Sequence, residues 1–111
     1  MEIKKEKKDN KLTAYVSGKI DTSTSEKFLS TIENDLDSID FLTLDFSNLD
    51  YISSSGLRVL LMLYKKMIAK NGKMILTGCN EIISEIFDVT GFSDIFNIAW
   101  GEKSQHLACK Q

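Results

Sequence analysis

The chain has 111 residues, 42% hydrophobic and 27% charged, enough for one domain around one core and too short for a second. Acidic and basic residues are mixed along it to a net charge of -2, and the lack of a sustained basic stripe argues against nucleic-acid binding. Residues Met1 to Lys11 are crowded with Lys and Glu, without the apolar centre of a signal peptide, and nowhere do about 18 apolar residues run together, so a cytoplasmic protein with no direct membrane insertion is expected.

Ile3–Lys7 and Leu12–Ser17 read as a hairpin turned at Asp9 and Asn10, the second strand alternating Leu12, Ala14 and Val16 against Thr13, Tyr15 and Ser17. The first strand is mostly Lys and Glu, which suits an edge. Gly18 breaks the alternation. Possible helix caps between Asp21 and Ser25 precede Phe28, Ile32 and Leu36, predicting an amphipathic helix over Ser23–Leu36. Phe41–Phe46 is short, apolar and β-prone, a buried strand, with a loop expected over Ser47–Asp50. Leu57, Leu60, Leu61, Tyr64 and Ile68, widened by Val59, Leu63 and Met67, give the face of a packed helix that stops at Asn71-Gly72. Met74–Thr77 reads as another buried strand. A helix over Asn80–Val89 follows, capped by Asn80, carrying Ile82, Ile83, Ile86 and Phe87, and ended by Gly91. Ile95–Trp100 supplies a last short strand, and residues 101–111 read as a flexible tail beyond a domain of residues 1–100. The order β-β-α-β-α-β-α-β gives an α/β fold with a mixed sheet of four to five strands. Spacing alone leaves open whether the helices cover one face of the sheet or both, and the polar, charged first strands favour one solvated face.

Three serines and a glycine, Ser53 to Gly56, stand where a strand end opens a strongly apolar helix. One serine can cap the helix while the others fill its turn. The free N–H groups and the positive end of the helix dipole also favour an anion there, a phosphate bound or made on a serine. Catalytic readings fail on their own patterns. A nucleophile elbow needs Gly-x-Ser-x-Gly, but Ile52 occupies the first glycine position before Ser54, and the sole histidine, His106, lies in the tail. A P-loop needs a preceding strand and a Ser or Thr after Gly72-Lys73, where Met74 stands. Cys79 and Cys109 have no metal-ligand spacing and are expected to be free thiols. No cofactor or metal is expected. Asp21 reads as a helix cap or a partner contact, the methionines and Tyr64 as packing, and Arg58, placed against the dipole, as an exposed contact residue.

These residues resemble the STAS domain, and within it the anti-sigma-factor antagonists. Gly18-Lys-Ile-Asp21 looks like the family's Gly-x-Leu/Ile-Asp motif, and the run from Leu44 to Leu61 looks like its strand–loop–helix signature. The resemblance implies a sheet with helices packed mainly on one face. It also implies a non-enzymatic protein that captures an anti-sigma-factor serine kinase of the histidine-kinase-like ATPase type and frees the sigma factor. Phosphorylation would switch it off, and a serine phosphatase would reset it. Aligning on Gly56 and Leu57 puts the phosphoacceptor at Ser54, with Asp21, Thr22, Ser53, Ser55, Gly56 and Arg58 as the partner interface. Ser53 stands where the family usually has an aspartate, which makes Ser53 a rival acceptor. The same departure keeps a second reading open: an unphosphorylated STAS adaptor subunit of a lipid-transport or stress-sensing complex.

Overall fold

Alternation builds the centre of the molecule: Leu12, Ala14 and Val16 are buried, as are Leu42, Leu44 and Phe46, and Met74 and Leu76, while the residues between them lie half-buried or exposed. The computed structural model describes residues 1–99. In chain order the elements are β1 (Glu2–Lys8), β2 (Lys11–Ile20), α1 (Ser25–Leu36), β3 (Phe41–Ile52), α2 (Ser54–Ala69), β4 (Lys73–Thr77), α3 (Glu81–Thr90), a 3-10 turn (Phe92–Asp94) and β5 (Asn97–Ala99). The expected tail, residues 101–111, and Trp100 lie outside the described residues.

The strands lie side by side in sequence order, β1 antiparallel to β2 and the rest parallel. Each parallel step therefore moves in one direction across the sheet. Crossovers of a single hand then place α1, α2 and α3 on the same face, where the core forms between them and β2, β3 and β4. The opposite face carries Thr13, Tyr15, Thr43, Asp45, Ile75 and Thr77, none of them fully buried. The α/β reading, the mixed sheet and the single covered face thus agree with the structure, with five strands.

The hairpin turns at Asp9 (φ 57°) and Asn10 as expected. On β1 the helix-side lysines are tethered rather than buried: Lys5 pairs with Asp35 of α1 at 2.8 Å, and Lys7 donates to Ser38 at 2.7 Å. Such charges leave an edge strand unattractive to a further strand.

Two expectations need correction. The strand β2 does not stop at Gly18: it runs to Ile20, with Gly18 at φ 88°. The expected loop Ser47–Asp50 is strand, because β3 continues to Ile52 alongside β2. Between Tyr15 and Ser17 on β2, β3 advances three residues, from Asp45 to Asn48; between Gly18 and Lys19 it advances two, from Leu49 to Tyr51. Each irregularity inserts one extra residue, so the buried positions are spaced by three, Phe46, Leu49 and Ile52. Polar residues fill the gaps and imitate a loop.

Along α2 Leu57, Val59, Leu60, Leu63 and Met67 are buried, whereas Leu61 and Tyr64 are half-buried and Ile68 is exposed, so of the expected Leu57, Leu60, Leu61, Tyr64 and Ile68 face the first two pack and the rest of the buried stripe comes from the flanking residues. The helix ends in a Schellman arrangement: Asn71 takes the left-handed conformation (φ 62°), its N–H bonds Ile68 O at 2.9 Å, and the Gly72 N–H bonds Met67 O at 2.7 Å. The left-handed residue is Asn71. Gly72 is required for closeness, since a Cβ there would stand 2.8 Å from Asp40 O. Asn80 caps α3 by accepting from Ile83 N at 2.9 Å. Phe96 then stacks edge-on against Tyr64, Phe87 and Phe92 at centroid distances of 5.7, 5.9 and 5.5 Å, fastening the 3-10 turn to α2 and α3.

Candidate functional site

The serine cluster sits where two parallel strands end together. Ile20 of β2 and Ile52 of β3 are register partners, both are buried, and Ile20 O accepts the Ser53 N–H at 2.8 Å. That bond ties the start of α2 to the end of β2. Gly56 makes the closeness possible, because a Cβ on it would come within 2.6 Å of Ile52 Cγ1 and 2.8 Å of Ile20 Cγ2. Two segments far apart in sequence, Asp21–Thr24 and Ser53–Gly56, therefore form one surface.

Within that surface the three serines differ. Ser53 is the N-cap, in extended backbone, and its hydroxyl oxygen accepts the Gly56 N–H at 3.3 Å. Ser55 is half-buried, its hydroxyl 3.4 Å from the Thr22 hydroxyl across the gap. Ser54, the first residue of α2, is exposed, and its hydroxyl has no hydrogen-bond partner among the described residues. No acidic residue lies in the first turn of α2, so its free N–H groups and Arg58 are not neutralised from within the helix.

Asp21 is half-buried and faces its own chain. Its Oδ1 accepts from Ser23 Oγ at 2.7 Å, Ser23 N at 3.0 Å and Thr24 N at 3.2 Å. The Ser23 hydroxyl, with the Ser23 and Thr24 bonds that accompany it, holds its carboxyl below the usual carboxylate range. Asp21 thus caps the turn ahead of α1, which begins at Ser25, while the neighbouring Thr22 is the exposed residue that reaches the serines.

A groove of about 330 Å³ runs beside Ser54, lined by Ser54, Leu57, Arg58 and Leu61 of α2 together with Thr90, the last residue of α3, and Phe92 of the 3-10 turn. Sequence reasoning missed Thr90 and Phe92. The available signal was Gly91, whose left-handed turn (φ 83°) ends α3 and brings an aromatic residue back toward the core. It also missed Tyr51, 44% exposed at the end of β3, where the second bulge turns an aromatic ring outward beside the cluster. Among the described residues no group of His, Cys, Asp and Glu could hold a metal ion, and no helix is long and apolar enough to cross a membrane. Cys79 is a free thiol pushed up to about 12 by burial and, secondarily, by the charge of Asp45.

The sheet is covered on one face, and β2 and β3 end together in an acid-capped turn and a serine-led helix. The STAS domain model matches residues 2–105, and the chain belongs to the STAS domain family. It is 30% identical over 111 residues, 99% of this chain and 96% of the relative, to BtrV of Bordetella bronchiseptica, provisionally named an anti-sigma factor antagonist. It is 27% identical over 95 residues to the anti-sigma-B factor antagonist of Listeria monocytogenes, covering 85% of this chain and 83% of that one. Among solved structures it is similar to the anti-sigma factor antagonist SpoIIAA in its unphosphorylated form, at a TM-score of 0.72 with 14% identity and 96% of each chain covered. The phosphorylated form of SpoIIAA from Bacillus matches with a TM-score of 0.70 and 17% identity, over 96% of this chain and 99% of that one.

Proposed function

We propose that this protein is an anti-sigma factor antagonist that binds an anti-sigma-factor serine kinase of the histidine-kinase-like ATPase type through the surface around Ser54, and is released when Ser54 is phosphorylated. The kinase passes the γ-phosphoryl group of ATP to the Ser54 oxygen, the hydroxyl proton leaves, and ADP is released. A serine phosphatase restores the hydroxyl by adding water and releasing inorganic phosphate. The chain acts as substrate and binding partner, in the cytoplasm, and the output is sigma-factor-dependent transcription controlled by partner switching.

The observation that carries this reading is the division of labour among the serines. Ser53 caps, Ser55 meets Thr22, and Ser54 alone is exposed at the first position of α2. That SpoIIAA exists in a phosphorylated form supports a phosphate on this fold. Ser53 in place of the family's usual aspartate fits the same account, since Ser and Asp are comparably good N-caps. The cap is kept, since the Ser53 oxygen accepts the Gly56 N–H.

A phosphate adds roughly -1.5 to -2 charge, and at a helix N-terminus that charge stabilises rather than unfolds the helix. Its cost falls on the partner, where an added charge in a docked interface costs several kcal/mol, and each 1.4 kcal/mol or so is a factor of about ten in Kd. With the cognate kinase, Ser54→Ala should bind as the unmodified protein does, and Ser54→Asp should bind at least about tenfold more weakly. Equal affinity of the two variants would contradict the proposal.

A further inference from the structure

We infer that Arg58 is the intramolecular counter-ion of a phosphate on Ser54, so that phosphorylation both adds negative charge and withdraws a guanidinium from the partner's side of the groove. The inference rests on Ser54 being the phosphorylated residue.

Four observations converge on the pair. Ser54 and Arg58 are four residues apart on α2, the spacing at which helical side chains are neighbours, about 5–6 Å between Cβ atoms. Helical Cα–Cβ bonds tilt toward the N-terminus, so a long side chain at position 58 lies back over the turn that carries Ser54. Both residues line the same groove, and Arg58 is the one charged residue among its lining, the others being Leu57, Leu61, Thr90 and Phe92. Arg58 is exposed, and among the described residues it forms no ion pair or hydrogen bond.

A cation in the first turn of a helix opposes the helix dipole. Arg58 therefore gains nothing from its position until an anion arrives beside it. With Ser54 unmodified, the groove presents a free, fork-shaped cation next to an apolar floor, suited to a carboxylate on a docking partner. With Ser54 phosphorylated, the guanidinium has a covalently held oxyanion within reach, and its two-pronged geometry matches phosphate oxygens. The net charge at the groove changes from +1 to roughly -0.5 to -1 at neutral pH. The partner thus loses its cationic contact at the same step that introduces repulsion.

The test installs phosphoserine genetically at position 54 of the full chain, which needs no kinase, and follows the phosphate's second ionisation by 31P NMR titration. Since Arg58 favours the dianion, Arg58→Gln should raise that pKa by about 0.3 unit, the equivalent of one helical i,i+4 charge pair. Arg58→Lys should restore most of the shift, and Lys65→Gln, farther along α2, should leave it unchanged. The exposed position of Arg58 keeps the variants folded, which circular dichroism checks. A pKa unaltered by Arg58→Gln would overturn the inference. That outcome would leave phosphorylation of Ser54 in cells untouched, and failure to find the phosphate in cells would leave the titration result standing.

Discussion

Replacing Gly56 by alanine tests whether the serine site is held together by contact between α2 and the end of β2. The added Cβ would sit 2.6 Å from Ile52 Cγ1, 2.8 Å from Ile20 Cγ2 and 3.1 Å from Ile20 O. Both isoleucines are fully buried, so neither can swing aside into solvent, and the third neighbour is backbone. Overpacking of this kind costs about 1–3 kcal/mol, offset by up to about 1 kcal/mol of helix propensity. The net expectation is a loss of about 1–2 kcal/mol, a fall in Tm of roughly 5–10 °C for a domain of this size. Urea denaturation should show a lower midpoint at unchanged slope. Relief by retreat of α2 would lengthen the Ser53 N–H to Ile20 O bond, so the amide shifts of Ser53 and Thr22 should move together. Gly91→Ala is the control, because nothing lies within 4 Å of its Cβ and only the left-handed backbone (φ 83°) is penalised. A Gly56→Ala protein as stable as the parent would refute the close-contact argument.

Further outcomes follow from the same geometry. Ser53→Ala should cost about 1 kcal/mol through loss of the N-cap, whereas Ser53→Asp should retain that stability, as read by thermal melts of both variants. In a Cys109→Ser background, Cys79 should react slowly with iodoacetamide at pH 8 when folded and rapidly in urea, because burial keeps its thiol protonated up to about 12. Since the folded pKa lies above the unfolded one, Cys79 costs no stability below about pH 9 and lowers it progressively as pH rises from about 9 toward 12. Cys79→Ala should flatten that alkaline decline; an unchanged decline would show that another group causes it.

The helices were legible where their apolar spacing was uninterrupted. Phe28, Ile32 and Leu36 of α1 and Ile83 and Phe87 of α3 are all buried, and Asn80 caps α3 as its sequence indicates. The second half of β3 was illegible for a physical reason: period-two reading assumes one residue per step, and two inserted residues move Phe46, Leu49 and Ile52 to a spacing of three. The exposure of Arg58 could be read from its place against the helix dipole, whereas the difference in exposure between Ser54 and its two serine neighbours could not be read from the sequence. What local sequence could not supply was adjacency. Thr22 meets Ser55 only because Ile20 and Ile52 are register partners, and Phe92 lines the groove after the left-handed turn at Gly91, in edge-on contact with Phe96. Asp21 shows the converse, a motif residue whose carboxylate is spent on its own turn.

The most direct test of the central claim is mass spectrometry of the protein recovered from its native cells, with phosphate localised peptide by peptide across residues 51–58. The account predicts phosphate on Ser54, varying with growth conditions, and unmodified Ser53 and Ser55. Ser54 found unmodified through both growth and stress would contradict it.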